Sequence, residues 1–153
     1  MIKRFSLLIC VMLLGMFSMS AQAPSPKEWS ISVHKSSATE GTVTLTATIQ
    51  DGWHLYGTEI PDGGPKPTSF SFEGSENVKF DGALKSSLPL TSVDDPVFGV
   101  KLSWWAKTVS FTRKYKVVDK KSAAKINATV SYMACNDENC MPPKKQTLTA
   151  TVK

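Results

Sequence analysis

Cys135 and Cys140 carry the chemistry this sequence offers. They lie in Tyr132-Met133-Ala134-Cys135-Asn136-Asp137-Glu138-Asn139-Cys140-Met141-Pro142-Pro143, with four polar residues between them and a double proline close behind. Four intervening residues let the two sulfurs meet, and Asn136 and Asn139 tolerate the tight backbone angles required. Closing so short a loop constrains the unfolded chain by only about 2 kcal/mol. A long-range bridge would stabilise more, and short, exposed disulfides are the labile kind. Lys144 and Lys145 favour a thiolate here, whereas Asp137 and Glu138 oppose it. Residue chemistry leaves two readings open, a redox-active pair and a structural staple.

Other cysteine chemistries fit less well. A thioredoxin site needs two residues between its cysteines, beside a βαβ pattern. Zinc would require Cys135 and Cys140 together with His34 and His54, but those histidines lie far upstream and far apart, and there is no second close-spaced ligand pair. The expectation is no metal and no organic cofactor.

The N-terminus sets the redox environment. Lys3 and Arg4 precede an almost unbroken apolar run from Phe5 to Met19, and Ser18-Met19-Ser20-Ala21-Gln22-Ala23 supplies small residues suited to cleavage. This is the layout of a secretory signal peptide, short for a membrane span. Residues 1–23 are expected to be removed, with Cys10 discarded among them. Cleavage takes away two positive charges and no negative ones, so the net charge falls from +5 to +3. The remaining lysines are scattered, without the footprint of a nucleic-acid binder. No second long apolar segment follows, so the mature chain is expected to be soluble, periplasmic or secreted. Outside the cytoplasm an even pair of cysteines is expected to be oxidised.

The elements that must position the pair read as strands. Residues 24–28 form a short linker, and one domain is expected over 29–153. Trp29, Ile31 and Val33 alternate with polar residues; Val43, Leu45, Ala47 and Ile49 alternate with threonines, a half-buried strand closed by Asp51-Gly52. Trp53 to Tyr56 is a short aromatic segment, and Pro61 to Pro67 is too rich in proline and glycine for a regular element. Thr68 to Phe72 predicts a strand with Phe70 and Phe72 on one face. Val78 to Phe80 predicts another, ended by Asp81-Gly82. Leu88 to Val93 is ambiguous before the turn at Asp94-Asp95-Pro96. Phe98 to Val118 is long enough for two strands, with Trp104 and Trp105 facing opposite ways, one core and one exposed. Ile126, Ala128, Val130 and Tyr132 alternate straight into Cys135, and Leu148, Ala150 and Val152 close the chain. Some eight short strands and no capped helical period predict an all-β fold, an immunoglobulin-like antiparallel β-sandwich. The cysteine pair then sits in or beside a hairpin loop.

Tyr132-Met133-Ala134-Cys135 followed by Cys140-Met141-Pro142-Pro143-Lys144 resembles the active-site region of the N-terminal periplasmic domain of the thiol:disulfide interchange protein DsbD. That family shows a Tyr-x-x-Cys…Cys-x-Pro-Pro pattern. Asp51-Gly52-Trp53-His54-Leu55-Tyr56 is similar to its Asp-Gly-aromatic segment, and Asp95-Pro96-Val97-Phe98-Gly99 to its cap loop. The likeness covers roughly residues 29–153. It implies an immunoglobulin-like sandwich bearing a reversible dithiol that takes electrons from a membrane-embedded donor. The electrons then pass to thioredoxin-like periplasmic proteins, for disulfide isomerisation or cytochrome c biogenesis. By position, Cys135 would be the attacked or attacking sulfur and Cys140 its partner. Phe98 or Val97 would cap them, with Asp95 and Gly99 in the same loop. Tyr56, His54, Tyr132 and Pro142 would line the site. His54 stands where the family pattern has an aromatic residue, and the loop between the cysteines is shorter than the family's. The chain stops at Lys153, where the family's full protein continues into a membrane domain, so electrons are expected from a separate protein. The expected activity is that of a thiol–disulfide oxidoreductase component, a protein-disulfide reductase. The alternative is a non-catalytic secreted binding or assembly module whose disulfide is structural.

Overall fold

A computed structural model describes residues 27–153; the expected signal peptide, Cys10 and the start of the linker lie outside the described residues. The chain folds into antiparallel strands: β1 (Lys27–Lys35), β2 (Glu40–Ile49), β3 (His54–Tyr56), β4 (Ser69–Ser71), β5 (Val78–Ser86) and β6 (Thr91–Asp95). They are followed by β7 (Val100–Trp105), β8 (Thr108–Val117), β9 (Ala124–Tyr132), β10 (Ala134–Cys135) and β11 (Lys144–Val152). No described residue is helical. Among the described residues no helix is long and apolar enough to cross a membrane. The strands form three sheets, ordered β1-β2-β8-β5, β11-β9-β4 and β10-β3-β7-β6. The expected all-β sandwich is what the chain adopts.

Alternation explains why these segments pack. In β2, Val43, Leu45, Ala47 and Ile49 are buried while the threonines between them are more exposed. In β9 the buried set is Ala124, Ile126, Ala128, Val130 and Tyr132. β-Branched and apolar residues on a two-residue period leave one face of each sheet to close over the other. The main core draws on all three sheets: Trp29, Leu45 and Phe111 from the first, Val130 and Tyr132 from the second, Leu55 and Trp105 from the third. Trp29 stands at its centre, 6.0 Å from Phe70, 5.9 Å from Phe111 and 5.8 Å from Tyr132 between ring centroids.

Three local features differ from the strand pattern expected above. Asp81-Gly82 does not end a strand: β5 runs on to Ser86, its register against β8 shifting between Asp81 and Lys85. Gly82, at a φ of 67°, takes up the irregularity as a residue without a Cβ can. The ambiguous stretch before Asp94 resolves into β6, which pairs along its whole length with β7 and forms the edge of its sheet. The segment after Val130 does not run on as one strand. β9 ends at Tyr132, and Ala134–Cys135 pairs with β3 in a different sheet.

Lys27 opens β1 and is buried, its Nζ 4.0 Å from the ring centroid of Tyr132 and 5.6 Å from that of Trp29. Burial pushes its ammonium group down to about 7. Between that value and the ordinary lysine value of about 10.4 the native chain binds fewer protons than the unfolded one. Stability therefore rises with pH across that window, and below it the full cost of a buried charge remains. Urea midpoints measured from about pH 6 to about pH 10 should climb in the native chain. Lys27→Met should flatten the climb.

Candidate functional site

The third sheet has two working faces, because alternate residues of a strand point to opposite sides. One face carries Leu55 of β3 and Trp105 of β7, which pair across the sheet and belong to the main core. The other carries Tyr56 and Cys135 with Val100, Leu102 and Trp104, which form a separate apolar cluster together with Ile60, Phe98 and Met133. The site is built on this second face.

Cys135 enters it through the backbone. β10 pairs with β3 so that Cys135 stands opposite His54 and Ala134 opposite Leu55. The chain then turns back at once. Asn136 N–H donates to the Asn139 carbonyl at 2.9 Å, and Met141 N–H donates to the Ala134 carbonyl at 2.9 Å. The Asn136 side-chain carbonyl accepts from the N–H groups of Glu138 (3.0 Å) and Asn139 (2.6 Å). Among the described residues only Asn77 and Lys107 are non-glycine residues at positive φ. Asn136 thus shapes the loop by its side chain, as an Asx turn, and not by a left-handed backbone. The turn brings Cys140 opposite Cys135, and the two form a disulfide with their Cα atoms 4.1 Å apart.

Burial separates the two sulfur-bearing residues. Cys135 is 2% exposed, within the apolar cluster, whereas Cys140 is exposed. The tip of the β6–β7 hairpin, residues 96–99, packs Phe98 against the same cluster. Asp95 shapes this tip: its Oδ1 accepts from the N–H groups of Val97 (2.8 Å) and Phe98 (3.0 Å). Its main-chain carbonyl accepts from Gly99 N–H at 2.8 Å, with Gly99 at a φ of 67° that favours glycine. The result turns Phe98 down into the cluster that holds Cys135 and leaves Val97 at the apex, 84% exposed.

Around the disulfide the side chains are aromatic. His54 stacks on Trp104 at 4.6 Å and meets Tyr56 edge-on at 5.5 Å. Tyr56 is buried, and Thr68 locks its backbone by donating from Oγ1 to the Tyr56 carbonyl at 2.6 Å. Burial raises the Tyr56 phenol above its ordinary range, and the Asp95 carboxylate adds to the shift. Burial also holds the His54 imidazole below the usual histidine value, opposed by the carboxylates of Asp137 and Asp95.

Of the residues expected at the site, Cys135, Cys140, His54, Tyr56, Asp95 and Phe98 come together. Gly99 and Val97 shape and top the hairpin tip that carries Phe98. Pro142 is exposed just beyond Cys140. Tyr132 lies elsewhere, in the main core against Trp29 and Lys27. Its tyrosine marks the place where the chain leaves β9, not the wall of the disulfide. His34, on β1 opposite Thr42, is in a different sheet. The site residues that sequence reasoning missed are Val100, Leu102 and Trp104. Their period of two was a usable signal, but Trp104 is half-buried under the His54 ring, not an exposed residue.

A family model described as "Thiol:disulfide interchange protein DsbD, N-terminal" matches residues 20–151. In structure the chain is similar to the N-terminal periplasmic domain of ScsB from Proteus mirabilis. That match has a TM-score of 0.53 and 19% identity, over 78% of this chain and 43% of that one. The chain thus spans less than half the length of that relative. The Neisseria meningitidis DsbD N-terminal domain in its reduced form gives a TM-score of 0.49 at 16% identity, over 75% of this chain and 89% of that one. A search of curated proteins found no match.

The expectation that Phe98 caps the disulfide is open to a direct check. Phe98→Ala should uncover Cys135 and speed reduction of the disulfide by dithiothreitol several-fold, read by alkylation of the freed thiols and mass spectrometry. Val97→Ala, at the exposed apex, should leave the rate unchanged.

Proposed function

The chain belongs to the family of DsbD N-terminal domains, and on that premise we propose that it is an exported thiol–disulfide exchange domain working through a reversible Cys135–Cys140 pair. The observation that supports this best is the unequal burial of the pair. A disulfide exchanges when a thiolate reaches one of its sulfurs and displaces the other. Cys140 is exposed and Cys135 is buried in the cluster that also takes Phe98, so Cys140 is the sulfur within reach of a partner. This exchanges the roles that position in the motif suggests.

The cycle has two halves. A donor thiolate attacks the Cys140 sulfur, the Cys135–Cys140 bond breaks, and Cys135 leaves as a thiolate. The donor's second thiol resolves this mixed disulfide and leaves the domain as a dithiol, two electrons richer. Cys140 thiolate then attacks the disulfide of an acceptor, and Cys135 displaces the acceptor from Cys140, re-forming the intramolecular bond. By family, the donor is a membrane-embedded electron carrier and the acceptors are thioredoxin-like periplasmic proteins. The signal-peptide pattern of residues 1–23 supports the same compartment. The activity is that of a protein-disulfide reductase component and calls for no metal or organic cofactor.

Trapping tests the assignment. Reduced Cys135→Ser, offered an oxidised thioredoxin-like protein, should accumulate a mixed disulfide through Cys140, seen on non-reducing gels. Cys140→Ser should accumulate little. If neither variant captures a partner and the reduction potential lies well below about −300 mV, the bond is a structural staple and the exchange reading fails.

A further inference from the structure

Exchange through Cys140 leaves one step without an obvious proton acceptor. Cys135 must become a thiolate to resolve the mixed disulfide, yet it lies in an apolar cluster, and such surroundings hold a thiol in its protonated form. The residue placed to relieve this is His54. Residues directly opposite each other in an antiparallel pair project from the same face, with Cβ atoms roughly 4.5–5.5 Å apart. His54 and Cys135 are such a pair. The imidazole is also held in place, stacked on Trp104 at 4.6 Å and met edge-on by Tyr56 at 5.5 Å. We propose that His54 is the proton acceptor for the Cys135 thiol in the resolving step. This rests on the exchange reading above and deepens it.

The step balances as follows. With Cys140 joined to one sulfur of the partner, the Cys135 S–H proton passes to the neutral His54 ring. Cys135 thiolate attacks the Cys140 sulfur, the Cys135–Cys140 bond forms, and the bond from Cys140 to the partner breaks. The partner's sulfur leaves as a thiolate with the electron pair of that bond. His54 then returns its proton to solvent or to the departing thiolate. Two electrons have moved from the domain's dithiol to the partner's disulfide. In the reverse direction, protonated His54 supplies the proton to Cys135 as it is expelled.

The groups that face His54 suit this task. Tyr56, from its own strand, is held protonated by burial. Trp104, from β7, carries no titrating group. Asp95 at the end of β6 and Asp137 in the disulfide loop both favour the protonated ring. Burial outweighs them and keeps the imidazole neutral at neutral pH, ready to accept. The two carboxylates stabilise the imidazolium once it forms. That division, a neutral base with anions behind it, is the arrangement general-base catalysis uses.

The two chemical steps can be watched separately. Reduced protein mixed with dithiobisnitrobenzoate releases one coloured thiolate when Cys140 forms the mixed disulfide and a second when Cys135 resolves it. The second phase in the native chain should rise with pH through a midpoint below the ordinary histidine range, as His54 loses its proton. In His54→Gln that phase should slow at least about tenfold. Its midpoint should move toward the ordinary thiol value of about 8.5 or above. His54→Phe keeps an aromatic ring against Trp104 and should show the same shift, which separates proton transfer from packing. An unchanged second phase and pH profile in both variants overturns the proposal while leaving the exchange reading intact. Equal slowing of both phases, with no shift of midpoint, also overturns it, since His54 would then act through the fold. If the native dithiol gives neither phase, the exchange reading fails and the proposal falls with it.

Discussion

Two residues of backbone pairing hold the site together: Ala134 against Leu55 and Cys135 against His54. β9 belongs to the sheet it shares with β4 and β11, and after Tyr132 the chain crosses at Met133 into the sheet of β3, β7 and β6. Without that crossing Cys135 would be one more residue at the end of a core strand. With it, the register decides which side each side chain takes. Ala134 goes with Leu55 toward the core, and Cys135 goes with His54 toward the outer face. A slip of one residue would reverse both. The hydrogen bond from Met141 back to Ala134 then carries Cys140 into place across from Cys135.

Because one sheet serves two faces, stability and chemistry share a backbone but not a set of side chains. Leu55 is fully buried in the main core, while its neighbours His54 and Tyr56 face the disulfide. The core side is thick and aromatic. The site side is a small cluster that takes Phe98 from the hairpin tip beside the edge strand β6, and edges and tips are where structures open most cheaply. Val97 at the apex and Val93 and Leu90 on or near β6 are exposed apolar residues on that margin.

Much of this was legible beforehand. The period-two runs of β2 and β9 identified their buried faces, and the residues of the cysteine segment, the Asp95–Gly99 loop and the Trp53–Tyr56 segment pointed to one site. Less was visible where the backbone does something that side-chain pattern does not record. The bulge at Gly82 looked like a strand end, since glycine after aspartate marks turns and bulges alike. The Tyr-x-x-Cys pattern implies that Tyr132 lines the site, whereas alternation along β9 sends it to the core beside Trp29.

By itself the sequence determined the fold class, the pair of cysteines that can bond, and the alternation that builds the main core, because these depend on residue type and local spacing. Only the tertiary structure decided which cysteine is exposed, which residues share the buried one's cluster, and that His54 stands opposite Cys135. Those facts depend on pairing between strands more than seventy residues apart in the chain, and no local pattern encodes which partner a two-residue strand will choose.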